Sequence, residues 1–146
     1  MTASGRAPDM PWMSIYLTVK DAQASLDFYT RAFGFEEGLV LRHDDGSFMH
    51  CELKYQGEVP VMFAPEGAAG GCVAPVTSGV AMPVSFYLYH EDVDALTARA
   101  KAAGAVCTQE PTDQFYGDRS AQFTCLNGYR WSFATHTGKM SAPPAS

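Results

Sequence analysis

The sequence has no long hydrophobic run: none of its apolar stretches reaches the ~18 residues that a transmembrane helix needs. Residues 1–10 hold one Arg and no apolar segment, so we expect no signal peptide and a cytoplasmic protein. Positive charge is also scarce, with 10 Lys and Arg against 16 Asp and Glu. The resulting net charge of −6 argues against nucleic acid and anionic membrane surfaces as partners.

Several chemical motifs are missing as well. The four cysteines lie at positions 51, 72, 107 and 125, and no two of them form a C-x-x-C pair. That spacing argues against a zinc ribbon and a thioredoxin-type redox pair, so we expect reduced thiols. The sequence also lacks G-x-S-x-G, Walker A and H-E-x-x-H, which removes the standard signatures of esterases, nucleotide triphosphatases and zincins.

What the chain does contain is enough apolar material, 47% of its residues, for one globular domain. Alternating residues predict a strand over 14–19, and Asp21 then suits the N-cap of a helix that Gly34 ends. Strands are predicted at about 35–42, 47–55 and 59–64. The same order recurs about 71 residues later: a strand over 84–89, a helix from Asp92 to Gly104, and strands near 105–109, 119–125 and 130–136.

This repeat predicts an α+β fold of two paired βαβββ modules. The modules cover 12–65 and 83–137 within one domain, 12–137, and a Gly-rich linker, 66–82, joins them. Residues 1–11 and 138–146 read as loose tails. Each module leaves one sheet face uncovered, and pairing of these faces, within one chain or across a homodimer, would bury them around a cavity. A twofold dimer is the expected assembly.

Six segments carry a resemblance to the vicinal oxygen chelate superfamily, which includes glyoxalase I, bleomycin-resistance proteins and extradiol dioxygenases. Three of them look most like its PhnB-like branch: MHCEL (49–53), FYGDRS (115–120) and NGYRWSFATH (127–136). The others are YLTVKD (16–21), LDFYTRAFG (26–34) and YLYHEDVDAL (87–96). The resemblance implies the fold but no particular reaction.

The resemblance also implies four metal-ligand positions, which fall on Ser14, Glu52, Ser85 and Ser132. Only Glu52 is a good ligand for a divalent ion, whereas a catalytic site normally needs three. We therefore expect no metal and no other cofactor. A displaced set of His50, Glu52 and His136 is the alternative.

Strand alternation assigns an aromatic and hydroxyl-rich lining to the cavity. Such a lining suits a flat, partly polar organic ligand. Arg119 either belongs to it or pairs with Asp118 or another acid. Glu52 would need Lys54, an Arg or a ligand to offset its burial. The candidate ligand-binding residues are Trp12, Tyr16, Phe48, His50, Glu52, Ser85, Tyr87, Tyr89, Tyr116, Arg119 and Ser132.

Three functional hypotheses follow. The leading one is a metal-free small-molecule binding protein, resembling bleomycin- and mitomycin-type resistance proteins, that sequesters an aromatic natural product or drug. The second is a metal-independent lyase, isomerase or hydrolase that uses Glu52 and His50 as an acid–base pair. The third is a metal-dependent, glyoxalase-like enzyme with displaced ligands.

Overall fold

The computed structural model describes residues 5–68 and 70–146. Its elements follow the predicted double βαβββ order, which confirms the fold class. The first module contains β1 (Ile15–Val19), α1 (Ala22–Phe33), β2 (Glu36–Arg42), β3 (Phe48–Tyr55) and β4 (Glu58–Pro65). After a short α2 (Pro75–Ser78), the second contains β5 (Ser85–Tyr89), α3 (Val93–Ala102), β6 (Val106–Asp113), β7 (Tyr116–Thr124) and β8 (Arg130–Met140). None of the helices described is long and apolar enough to cross a membrane.

Each module forms its own four-stranded sheet with the same topology. Sheet I has the order β1-β4-β3-β2, and sheet II has the order β5-β8-β7-β6. The first strand of each module pairs in parallel with the last, and the other pairs are antiparallel. Tyr16 lies opposite Met62 in sheet I, and Tyr87 lies opposite Ser132 at the equivalent position of sheet II.

The two long helices begin as their sequences predict. The Asp21 carboxylate accepts a hydrogen bond from the Ala24 amide at 2.9 Å, and Asp92 accepts one from Ala95 at 3.0 Å. These bonds satisfy amide donors that the first turn of a helix leaves free. Gly34 ends α1 with a φ of 75°, in the left-handed region that glycine adopts without strain.

Helix α1 packs against sheet I, α3 packs against sheet II, and the two helices contact each other, so they form a layer between the sheets. The Tyr29 ring lies 6.3 Å from Phe63 of sheet I and 5.4 Å from Trp131 of sheet II. Phe33 also contacts Phe133, at 4.8 Å between ring centroids. One aromatic core therefore joins the modules, and each sheet turns its opposite side, here called its outer face, away from the helices.

A buried amide strengthens the connection between the modules. Asn127, in the turn before β8, is almost fully buried and accepts a hydrogen bond from the Lys20 amide at 3.0 Å. Its own amide nitrogen donates to the hydroxyls of Ser25 and Tyr29 at 3.0 and 3.3 Å. The backbone carbonyl of Asn127 accepts a hydrogen bond from the Val76 amide. With its polar groups satisfied, this side chain can be buried without an unpaired-donor penalty.

The predicted Gly-rich linker, 66–82, contains the short helix α2, a regular element that its composition does not indicate. Glu66 accepts hydrogen bonds from the Ala74 amide, at 3.0 Å, and from the Thr77 hydroxyl. The contact of Val76 with Asn127 then docks the turn onto the second module. Contacts distant in the chain thus order a stretch whose composition is typical of a loop.

The described parts of the predicted tails, residues 5–11 and 138–146, are also more ordered than their composition indicates; residues 1–4 lie outside the described part of the chain. Strand β8 continues to Met140 because it pairs with Tyr116 at the end of β7. Near the other end, the Asp9 carbonyl accepts a hydrogen bond from the Val59 amide at 2.9 Å. Backbone pairing with a neighbouring strand, which a local pattern does not reveal, accounts for both departures.

The aromatic core generates the first prediction. We expect Phe133→Ala to lower the free energy of unfolding by about 3–5 kcal/mol, because it empties a fully buried ring position. Urea denaturation measures the effect, and Phe115→Ala, at a ring that is 38% exposed, is the matched control. Equal losses in the two variants would contradict the assignment of the core.

Candidate functional site

The outer face of sheet I carries a row of polar side chains. Tyr16 and Glu52 both lie opposite Met62, on either side of β4. The Tyr16 hydroxyl lies 2.8 Å from His50 Nδ1, and His50 Nε2 lies 3.4 Å from Glu52 Oε1. The sheet register therefore brings together three residues that alternation predicted to share a face.

Glu52 does not pair with Lys54, one of its predicted partners. The Lys54 ammonium lies 4.0 Å from Asp9 instead, while His50 is the ionisable contact of Glu52. Both His50 and Glu52 retain about a fifth of their side-chain exposure, 18% and 21%. The carboxylate is thus accessible from the outer face of sheet I.

The outer face of sheet II is organised around a buried carboxylate. Asp118 is 3% exposed, and its Oδ2 accepts hydrogen bonds from the hydroxyls of Tyr87 and Tyr89 at 2.8 and 3.0 Å. Its Oδ1 lies 2.8 Å from Nδ1 of His136 on the adjoining strand β8. We call these four residues the Asp118 cluster.

These contacts determine the charge state of the cluster. Burial by itself would raise the pKa of Asp118, but hydrogen bonds from His136, Tyr87 and Tyr89 outweigh it and lower the pKa below its ordinary value. Burial, followed by hydrogen bonds with Tyr116 and Asp118, raises the pKa of Tyr87. At neutral pH the cluster therefore contains an ionised carboxylate and protonated tyrosines.

Arg119 does not belong to the outer face of sheet II. Its guanidinium pairs with Asp94 of α3, at 2.9 and 3.0 Å, and with Asp113, at 3.2 Å. Neighbours along a strand point to opposite sides of the sheet, so Arg119 faces α3 while Asp118 faces outward. The prediction that Arg119 binds the ligand is therefore corrected: it forms ion pairs with Asp94 and Asp113, and not with Asp118.

Phe48 is also placed differently from the prediction. The pairing of β2 with β3 shifts between Leu41 and Arg42, which lie opposite His50 and Phe48. This β-bulge reverses the alternation, so Phe48 is buried against Phe63 in the core, beneath the Arg42 guanidinium. Its assignment to the cavity face is therefore wrong.

The remaining candidates occupy separate places. Ser85 and Ser132 line a cleft of about 360 Å³ on sheet II. Trp12 is 78% exposed, with the Arg6 guanidinium 5.2 Å from its ring centroid. Tyr116 is partly exposed and its ring contacts Phe115 at 5.2 Å.

Within one chain the two outer faces do not form one site. Among residues 5–68 and 70–146, no hydrogen bond or ring contact joins the Tyr16–His50–Glu52 row to the Asp118 cluster. The helix layer lies between the sheets, and both faces are open to solvent. The sequence analysis did not group Asp118 with Tyr87 and Tyr89, because these side chains lie on β7 and β5 and meet across β8. Alternation along one strand does not predict a contact between side chains of different strands.

The residues at the four family ligand positions do not fit a divalent metal. The Ser14 hydroxyl already donates to the Val59 carbonyl at 2.7 Å, and Ser132 is nearly buried. His136 contacts Asp118 rather than Glu52, so the displaced set of His50, Glu52 and His136 does not assemble in one chain. In the described part of the chain, no three His, Cys, Asp or Glu side chains are grouped as metal ligands.

Comparison with known proteins agrees with the fold. The model of the Glyoxalase/Bleomycin resistance protein/Dioxygenase superfamily matches residues 12–133, so the chain belongs to this superfamily. The resemblance read from the sequence is therefore confirmed at that level.

Individual relatives give the degree of similarity. An uncharacterised protein of Mycobacterium bovis is 33% identical over 124 residues, which cover 84% of this chain and 81% of that protein. The crystal structure of TioX from Micromonospora is 27% identical with a TM-score of 0.67, covering 85% of this chain and 97% of TioX. The structure of a superfamily enzyme from Burkholderia phytofirmans is 17% identical with a TM-score of 0.66. The match covers 84% of this chain and 96% of the enzyme's chain. This last likeness shows the fold alone.

The ligand positions generate a prediction about metal content. Because three of the four are serine, we expect the purified protein to bind less than about 0.2 equivalents of Zn, Ni, Fe or Mn. Elemental analysis after exposure to each metal measures this, with Glu52→Ala as the comparison. Close to one equivalent in the parent protein, lost in Glu52→Ala, would contradict the prediction.

Proposed function

We propose that the protein is a metal-free small-molecule binding protein that sequesters a flat aromatic ligand without changing it. The supporting observation is the aromatic character of both outer faces: Tyr16, Tyr87 and Tyr89 are 55%, 46% and 57% exposed. Polar groups that can orient a ligand lie beside them, Glu52 on sheet I and Asp118 on sheet II. Stacking surfaces with a few oriented polar groups are typical of small-molecule sites.

The partner that completes the site is a second copy of the chain. A ligand buried on both sides needs two walls, and one chain presents its two aromatic faces on opposite sides of the helix layer. Outer face I of one copy against outer face II of another supplies both walls. A twofold axis then generates two equivalent sites, each with residues from both copies.

Dimerisation through these faces has a direct test by complementation. We expect light scattering to give about twice the 15.8 kDa mass of one chain. Tyr16→Ala and Tyr87→Ala should each abolish most binding of an acridine probe. The two variants are then mixed in equal amounts, denatured together and refolded. Half of the dimers should be mixed, and each mixed dimer has one site with two intact faces, so about a quarter of the binding capacity should return.

The controls for this experiment separate assembly from binding. Each variant refolded alone, at the single or the doubled protein concentration, should show no recovery of probe binding. A mass of about 16 kDa at micromolar concentration, or full binding by monomers, would contradict the shared site.

Glu52 is the polar anchor of outer face I, and Glu52→Gln tests it while keeping its shape. If the ligand donates a hydrogen bond to Glu52, affinity should fall about tenfold or more, since a charged hydrogen bond contributes roughly 1.5–3 kcal/mol. Stability should hold or rise, because a partly buried charge has been removed. Calorimetry and thermal unfolding measure the two quantities, with Glu110→Gln, at an exposed carboxylate, as the control.

A protein with Glu52→Gln that binds normally but unfolds several degrees earlier would identify Glu52 as a structural residue only. That result would contradict the proposed site on outer face I, whereas the description of the fold and of the exposed tyrosines would still hold.

The contact of His50 with Glu52 favours a second candidate, a metal-independent lyase, isomerase or hydrolase. A histidine in contact with both a carboxylate and the Tyr16 hydroxyl can transfer a proton to or from a bound ligand. Mass spectrometry of a bound ligand after prolonged incubation separates the two functions: a sequestering protein returns it unchanged, and an enzyme returns a product.

A further inference from the structure

The Asp118 cluster contains a buried anion, and among residues 5–68 and 70–146 no Lys or Arg side chain pairs with it. Arg119, its neighbour in the chain, faces α3 and is held by Asp94 and Asp113. Arg130 lies on the outer face but near the start of β8, where it donates to the Met82 carbonyl. The partners of Asp118 are two neutral hydroxyls and a histidine, which is charged only when protonated.

The hydrogen bonds of the cluster fix which groups remain for a ligand. Because ionised Asp118 can only accept, Tyr87, Tyr89 and Nδ1 of His136 all donate toward it. Tyr116 also bonds the Tyr87 hydroxyl, which leaves that oxygen one lone pair, whereas both lone pairs of Tyr89 are left. Whenever the His136 imidazole carries one proton, its Nε2 is a further acceptor. The His136 side chain is 62% exposed, so this acceptor is reachable. The cluster therefore offers acceptors rather than donors to a bound molecule.

The rings of the two tyrosines also favour a cationic ligand. Tyr87 and Tyr89 meet edge to face at 5.7 Å between centroids, and both are about half exposed. The face of a tyrosine ring attracts cations, and a hydroxyl that donates to an anion becomes a stronger acceptor. A cationic N–H donor would satisfy the acceptors, the rings and the buried negative charge together.

We propose that the Asp118 cluster is a recognition site for a protonated amine, or a similar N–H cation, on the aromatic ligand. This inference rests on the proposed function and assigns the ligand's charge and its position on sheet II. A neutral ring lacks the charge that Asp118 attracts, and an anionic ring is repelled by it.

Three acridines of similar shape test the charge preference at neutral pH. They are 9-aminoacridine, a cation; acridine, which is neutral; and acridine-9-carboxylate, an anion. We expect the parent protein to bind the cation about tenfold or more tightly than the neutral ring, and the anion most weakly. Fluorescence titration measures all three dissociation constants.

Two variants locate that preference. Asp118→Asn should reduce the ratio of cation to neutral affinity to about one, by removing the charge. Tyr89→Phe should reduce it severalfold by removing one acceptor, and its exposed position makes it the readout if Asp118→Asn fails to fold. Asp113→Asn, at an exposed carboxylate held by Arg119, is the matched control and should leave the ratio unchanged.

The possible results distinguish a failure of the charge assignment from a failure of the proposed function. Equal binding of cation and neutral ring, or an unchanged ratio in a folded Asp118→Asn and in Tyr89→Phe, would overturn the charge assignment while leaving aromatic binding intact. Failure of the parent protein to bind any of the three would overturn the proposed function for flat aromatic ligands, and the inference with it.

Discussion

Packing of α1 against both sheets is the constraint on which the rest of the structure depends. Tyr29 and Phe33 contact Trp131 and Phe133 of sheet II while Tyr29 also contacts Phe63 of sheet I. These rings are fully buried, so separating the modules would expose a large apolar area. The helix layer consequently holds the sheets back to back and turns both outer faces to solvent.

This arrangement explains why a site divided between modules is open in one chain. The superfamily repeat supplies two similar faces, but the shared core prevents them from closing on one another. Aromatic side chains that are half exposed on both faces are left with apolar area to bury. Pairing with a second copy would bury that area, which is the physical basis of the proposed shared site.

The two faces differ in their chemistry although their topology is the same. In sheet I, Glu52 lies in contact with His50, which in turn contacts Tyr16, and Glu52 stays partly exposed. In sheet II, Asp118 is buried and accepts hydrogen bonds from the hydroxyls of Tyr87 and Tyr89, whose side chains are about half exposed. One face therefore offers an accessible carboxylate and the other a screened one, so the same ligand would meet different polar groups on its two sides.

The sequence by itself determined the βαβββ repeat, the helix caps at Asp21 and Asp92, and the shared face of His50 and Glu52. Each of these follows from local periodicity or from side chains that bond a few residues away. Only the tertiary structure decided that Phe48 turns inward at a bulge and that Asp118 gathers Tyr87, Tyr89 and His136. Those outcomes depend on the register between strands distant in the chain, and a one-residue shift of register reverses which face a side chain occupies.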